Sequence, residues 1–185
     1  MMTNWSMIIN GCTNGDSRYQ KLLYEEYYGI LLKMAFRYVS TYEQALELTQ
    51  NGFVKIFYEL NGVSLDKDEL TKETLSTWIK RTFIIILVDH IKSAFNLHKA
   101  RPIPGDIWKQ YDRPFTDKEM MHIELITILK GLPILYRLVF NLHVIDGFTH
   151  REIARVLDTT VEDSKQNLIK AREYINKSFV GEKYM

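Results

Sequence analysis

Asp89 and His90 are adjacent, His150 stands two residues before Glu152, and Cys12 is the sole cysteine. These are the residues whose types could do acid–base, metal or thiol chemistry. Neighbours on a helix point about 100° apart, so Asp89 and His90 cannot serve one substrate atom. The run His150-Arg151-Glu152 lacks the four-residue histidine spacing of a zinc helix. Cys12 has no partner for an internal disulfide and no nearby Cys or His cluster. With no glycine-rich phosphate loop and no nucleophile motif, the expectation is a protein without catalytic residues, metal or cofactor, and not an enzyme. Chemistry of another kind is available near the C-terminus, where cationic and amide side chains recur on a periodic segment and could meet phosphates or base edges.

The chain that must position these groups has 185 residues, enough for two small domains. At 46% hydrophobic and 25% charged it has the composition of a folding globular protein. Its longest strictly apolar run, Phe83 to Val88, is far shorter than the roughly 20 residues that span a bilayer. The opening Met1-Met2-Thr3-Asn4-Trp5-Ser6 has no basic stretch ahead of a sustained apolar core, so no secretory signal is visible and a cytoplasmic location is expected. A net charge of +1 is low for a protein that binds DNA alone. Its distribution is uneven: Glu47, Glu59, Asp66, Asp68 and Glu69 dominate one stretch, whereas Lys80, Arg81, Lys92, Lys99 and Arg101 face only Asp89 in the next. Two surfaces with different partners are expected.

Periodicity predicts helices throughout. A first stripe runs Leu22, Leu23, Tyr27, Ile30, Leu31, Met34 and Tyr38, and a second runs Ala45, Leu48, Gly52, Ile56 and Leu60 up to Asn61-Gly62. A third begins with Trp78, Ile79, Thr82, Phe83, Ile86, His90 and Ala94. Pro102, Pro104, Gly105 and Pro114 break the pattern and mark a linker. Beyond it a helix over about 117–130 stops at Gly131, Pro133 suits the first turn of the next, and that helix runs to about Ile145. Thr149 and Glu152 have the spacing of a capping box, and Thr160 to Asp163 repeat it. Ile153, Leu157, Val161, Ser164, Leu168, Ala171 and Ile175 supply inward faces. Two short helices with a tight turn describe a helix-turn-helix. The expected fold is all-α: two small helical domains joined by a flexible linker, the C-terminal one holding the helix-turn-helix, over 1–97, 98–116 and 117–185.

Two outward faces follow from this register. Opposite the second core stripe lie Glu47, Gln50, Asn51, Val54 and Tyr58, a polar and apolar mixture suited to a protein partner. On the last helix Lys165, Gln166, Ile169 and Lys170 face away from Leu168, where a recognition helix reads the major groove. Lysine can donate to guanine and glutamine can engage adenine.

The wording of two segments goes further. Ala45-Leu46-Glu47-Leu48-Thr49-Gln50-Asn51-Gly52-Phe53-Val54-Lys55-Ile56-Phe57, with Trp78, Asp89 and Lys92, resembles conserved region two of extracytoplasmic-function (ECF) sigma factors of the sigma-70 superfamily. Leu132-Pro133, Arg137, Val139-Phe140, Leu142, Gly147-Phe148-Thr149, Glu152-Ile153-Ala154, Leu157, Ser164-Lys165, Leu168 and Ala171-Arg172 resemble region four. The resemblance implies a sigma subunit that binds core RNA polymerase and directs promoter-specific transcription initiation, region two meeting the minus-10 element and region four the minus-35 element. It implies that the Glu47 stripe meets the clamp helices of the polymerase's largest subunit, and that Trp78, Lys80, Arg81 and Lys92 serve minus-10 DNA. Arg151 and Arg172 join Lys165, Gln166, Ile169 and Lys170 at minus-35 DNA, as phosphate contacts. Core polymerase and promoter DNA are the implied partners; a membrane-linked anti-sigma factor is compatible with the resemblance, and no small-molecule substrate is implied.

Three departures stand out. Ile85 replaces an asparagine of the minus-10 base pocket, which moves the expected hydrogen-bonding groups to the polar loop 61–77. Glu162-Asp163 replaces a glycine-threonine pair, placing carboxylates where a phosphate would approach, and Asp158 replaces a turn glycine. The competing reading is a helix-turn-helix regulator acting without core polymerase, against which the segment from Glu47 to Phe57 argues.

Overall fold

The computed structural model describes residues 5–39, 41–61, 71–94 and 117–182, and every described element is a helix. In chain order these are α1 (Trp5–Thr13), α2 (Ser17–Tyr38), α3 (Tyr42–Leu60), α4 (Lys72–Ala94), α5 (Asp117–Gly131), α6 (Ile134–Phe140), a π-helical turn (Asn141–Ile145), α7 (His150–Leu157) and α8 (Val161–Glu182). The expected linker 98–116, with Trp108, Tyr111 and Phe115, and most of the polar loop after Asn61 lie outside the described residues. No described helix is long and apolar enough to cross a membrane.

The chain resolves into two compact units: Met1–Phe36 with Tyr42–Leu87, and Arg37–Thr41 with Val88–Met185. In the first, the second stripe is buried as expected at Ala45, Leu48, Gly52, Ile56 and Leu60. The first stripe is narrower than expected. Leu23, Tyr27, Leu31 and Met34 are buried, but Leu22 and Ile30 are exposed, each standing one residue, and so about 100°, off the buried line. The third is rotated in the same sense: Leu75, Ile79, Phe83 and Leu87 form the buried line, while His90 is exposed and Ile86 half-buried.

Helix α1 was not anticipated. Its nine residues carry no charge to mark a polar face, and it stays put by burying Ile8, Ile9 and Cys12 while packing on α3. The Trp5 ring meets the edge of Tyr27 at 6.3 Å and lies under the Lys72 ammonium at 5.4 Å. Burial, and then Asp16, push the Cys12 thiol up to about 11, so it is an inert core residue.

In the second unit α8 packs against α5, α6 and α7. Ile128, Leu129, Leu132, Ala171 and Ile175 form a buried cluster, with Leu125, Tyr136 and Phe140 against it. Pro133 serves as N-cap of α6 rather than its first helical residue. Where one helix to Ile145 was expected, α6 widens into the π turn. Its closing bond runs five residues back, from Asp146 N–H to the Asn141 carbonyl at 2.9 Å. The widened turn buries Asn141 and Leu142 and leaves Val144 and Ile145 exposed. Asp146 then accepts hydrogen bonds from Arg37 Nη2 and from the Tyr38 hydroxyl, each 2.6 Å, within this unit.

Candidate nucleic-acid interface and docking stripe

The helix-turn-helix is set by its caps. Thr149 Oγ1 accepts from Glu152 N–H, and the Glu152 carboxylate accepts from Thr149 N–H at 2.8 Å, completing the expected capping box. Helix α7 stops because Asp158 turns left-handed (φ 51°, ψ 48°), a conformation aspartate reaches more readily than most residues. The second box also forms: Asp163 N–H donates to Thr160 Oγ1 at 3.0 Å, and the Thr160 hydroxyl returns a bond to the carboxylate at 2.6 Å. Hydrogen bonds from Thr160, and then from Thr159, hold the Asp163 carboxyl below its ordinary range. Asp163 is therefore committed to starting α8.

These caps aim α8. Ser164, Leu168, Ala171 and Ile175 are buried, with Ile153 and Leu157 of α7 also buried. Val161, expected inward, is the first residue of α8 and is 37% exposed. His150 Nδ1 lies 2.9 Å from Ser164 Oγ, and its ring stacks on His143 with centroids 4.2 Å apart. Burial, and then His143, Lys165 and Arg172, push His150 below its ordinary value, so near pH 7 the ring joins α7 to α8 without adding a charge. The sequence did not reveal this junction, since His150 and Ser164 are 14 residues apart.

Each expected minus-35 residue is on the surface: Arg151, Lys165, Gln166, Ile169, Lys170 and Arg172 are all exposed. Spacing alone does not show how Glu162 joins them. Its carboxylate accepts from Gln166 Nε2 at 3.1 Å and stands 3.9 Å from Lys165 Nζ. The base-reading candidates are thus arranged around an acid.

Beneath the motif Arg137 is buried, and its Nη1 donates to the Lys130 carbonyl at 3.2 Å, satisfying the end of α5. Burial pushes the Arg137 guanidinium down to about 10. Burial, and then Arg137, push Lys130 down to about 8.

In the first unit, Glu47, Gln50, Asn51, Val54 and Tyr58 form one exposed line along α3. Val54 is 69% and Tyr58 77% exposed, the highest values among the described large hydrophobic residues, and one turn apart they form an apolar pair within the line. The residues expected at minus-10 DNA are less uniform. Trp78, Lys80 and Arg81 are half-buried in the first unit, and Ile85 is 42% exposed. Lys92 belongs to the second unit, where its ammonium donates to the Val156 carbonyl at 3.0 Å and to the Asp158 carboxylate. It is an occupied cation rather than a waiting one. Among the described residues no cluster of three or more His, Cys, Asp or Glu side chains could hold a metal ion.

The geometry defines an all-helical protein with a capped helix-turn-helix in one unit and an exposed line of mixed polar and apolar side chains along α3 in the other. Residues 122–175 match the family described as Sigma-70, region 4. Among solved structures the chain is similar to that of CnrH in complex with the cytosolic domain of CnrY, with a TM-score of 0.52 and 16% identity over 97% of this chain and 99% of that one. No curated protein matches it in sequence. The family match over 122–175 agrees with the resemblance of that segment to region four, and the likeness to CnrH agrees with the expected all-helical fold.

Proposed function

We propose that this chain binds core RNA polymerase through α3 and directs promoter-specific transcription initiation, reading the minus-35 element with α8. The observation that carries the proposal is the exposed line Glu47, Gln50, Asn51, Val54 and Tyr58 in a unit separate from the helix-turn-helix. A regulator acting on DNA alone has no need of it. On this proposal the 1–97 and 117–185 segments act as regions two and four. Trp78, Lys80 and Arg81 contribute to minus-10 DNA, and Lys92 does so once it leaves Asp158. The likeness to CnrH, solved with the cytosolic domain of a partner, supports a similar anti-sigma partner for this chain.

The test is transcription by reconstituted holoenzyme, with binding to core measured alongside. Glu47→Lys or Gln50→Ala should weaken core binding tenfold or more, because losing an acceptor for a charged donor costs about 1.5 to 3 kcal/mol. Both residues are exposed, so the fold should survive. Unchanged affinity would reject α3 as the docking helix.

The exposed side chains of α8 should fail in two ways. Replacing Lys165, Gln166 or Lys170 by Ala should relax preference at defined minus-35 positions by about 1 to 3 kcal/mol each. Arg172→Ala should weaken all promoters alike and flatten the salt dependence by about one unit of slope. A randomised minus-35 library transcribed by each variant holoenzyme separates the two. An unaltered preferred sequence in all three base-contact variants would remove α8 from the reading surface.

A further inference from the structure

We infer that Glu162 is itself a base-reading residue, one that makes the start of α8 select cytosine and reject guanine; the inference rests on the proposed minus-35 role of this helix. Two adjacent carboxylates open α8, and the structure separates their tasks. Asp163 is held by Thr159 and Thr160 and caps the helix. Glu162 makes no cap. Its side chain is 68% exposed, and its contacts are to Gln166 and Lys165, both themselves exposed.

Helical rotation puts Glu162 on the solvent side with Gln166 and Ile169. Counting about 100° per residue, these three lie within roughly 60° of one another and far from Leu168. The first turns of a recognition helix approach the base edges most closely. Because Gln166 Nε2 donates to Glu162, the Gln166 amide contributes its oxygen as a further acceptor on the same face. The centre of the reading face therefore presents acceptors. Acceptors complement the amino groups of cytosine and adenine, and a carboxylate is repelled by O6 and N7 of guanine. Cytosine N4 is the partner a carboxylate selects. Lys165, at 3.9 Å and 53% exposed, is too loosely paired to cancel the acid and can leave it for a base edge of its own.

The experiment uses full-length wild-type, Glu162→Ala and Glu162→Gln chains, each reconstituted with core polymerase and transcribed on a randomised minus-35 library. Wild type should show one position preferring cytosine. Glu162→Ala should lose that preference by about tenfold. It should also raise the adenine preference at the position Gln166 reads, because the freed amide can then bond adenine with both ends. Glu162→Gln should admit guanine at the first position, since an amide nitrogen can donate to O6 or N7. If both variants instead raise transcription from every promoter equally and keep the wild-type preference, Glu162 is only a repulsive charge and the inference is overturned. If wild-type holoenzyme initiates but shows no minus-35 dependence at all, the reading role of α8 fails first and takes the inference with it.

Discussion

Replacing Asp146 by Ala should destabilise the second unit by about 3 to 5 kcal/mol, the cost of leaving a buried charge without its partner. The carboxylate is 8% exposed and the Arg37 side chain 17%, so water cannot stand in for what is removed. Two donors lose their acceptor at once: Arg37 Nη2, and the hydroxyl of Tyr38, which is 1% exposed. Burial, and then the Asp146 charge, keep the Tyr38 phenol protonated well above its ordinary value, so it is a donor at any physiological pH. Tyr38→Phe removes one neutral partner and should cost only about 1 kcal/mol. Asp146→Asn keeps the shape but turns an amide nitrogen toward one of the two donors, and should fall between them. Amide hydrogen exchange of the second unit is the appropriate measurement, since a chain of two units need not unfold in one step. Protection of α6 and α8 within about 0.5 kcal/mol of wild type in Asp146→Ala would refute the role assigned to this pair.

Gly52→Val should destabilise the first unit severely. A Cβ at Gly52 would stand 2.4 Å from Phe83 Cε2 and 2.6 Å from Cδ2, inside any permitted contact. Phe83 is fully buried and has no room to withdraw. Overpacking of this kind costs about 1 to 3 kcal/mol or more, against about 1 kcal/mol gained by removing glycine from a helix interior. Gly52→Ala should therefore lose a little stability, and Gly52→Val, with two further methyls, should lose several times as much. Combining Gly52→Ala with Phe83→Leu tests the cause. The pair should be less destabilised than the sum of the single variants, and simple additivity would mean that the ring is not what the glycine accommodates.

Gly52 and Asp146 also divide what was legible in the sequence from what was not. The stripe Ala45, Leu48, Gly52, Ile56 and Leu60 was readable because a 3.6-residue period needs nothing beyond neighbouring positions, and the same period put Glu47, Gln50, Asn51, Val54 and Tyr58 on the far side. Both capping boxes and the left-handed Asp158 were readable for the same reason, since a cap is a bond between residues three apart. Where the stripe carried an extra apolar residue, as at Leu22 and Ile30, periodicity could not say which side faced the core. Helix α1 is only nine residues long and uncharged, too short for its period to stand out. Tertiary structure decided the rest. The π turn that buries Asp146 against Arg37, the stacking of His143 on His150, and the commitment of Lys92 to Asp158 join residues as many as 109 positions apart. Side chains announce such pairings only once the backbone has brought them together. Local spacing determined which face of α8 meets solvent. Only the folded arrangement, in which Gln166 and Lys165 gather on the Glu162 carboxylate, decided which groups that face presents.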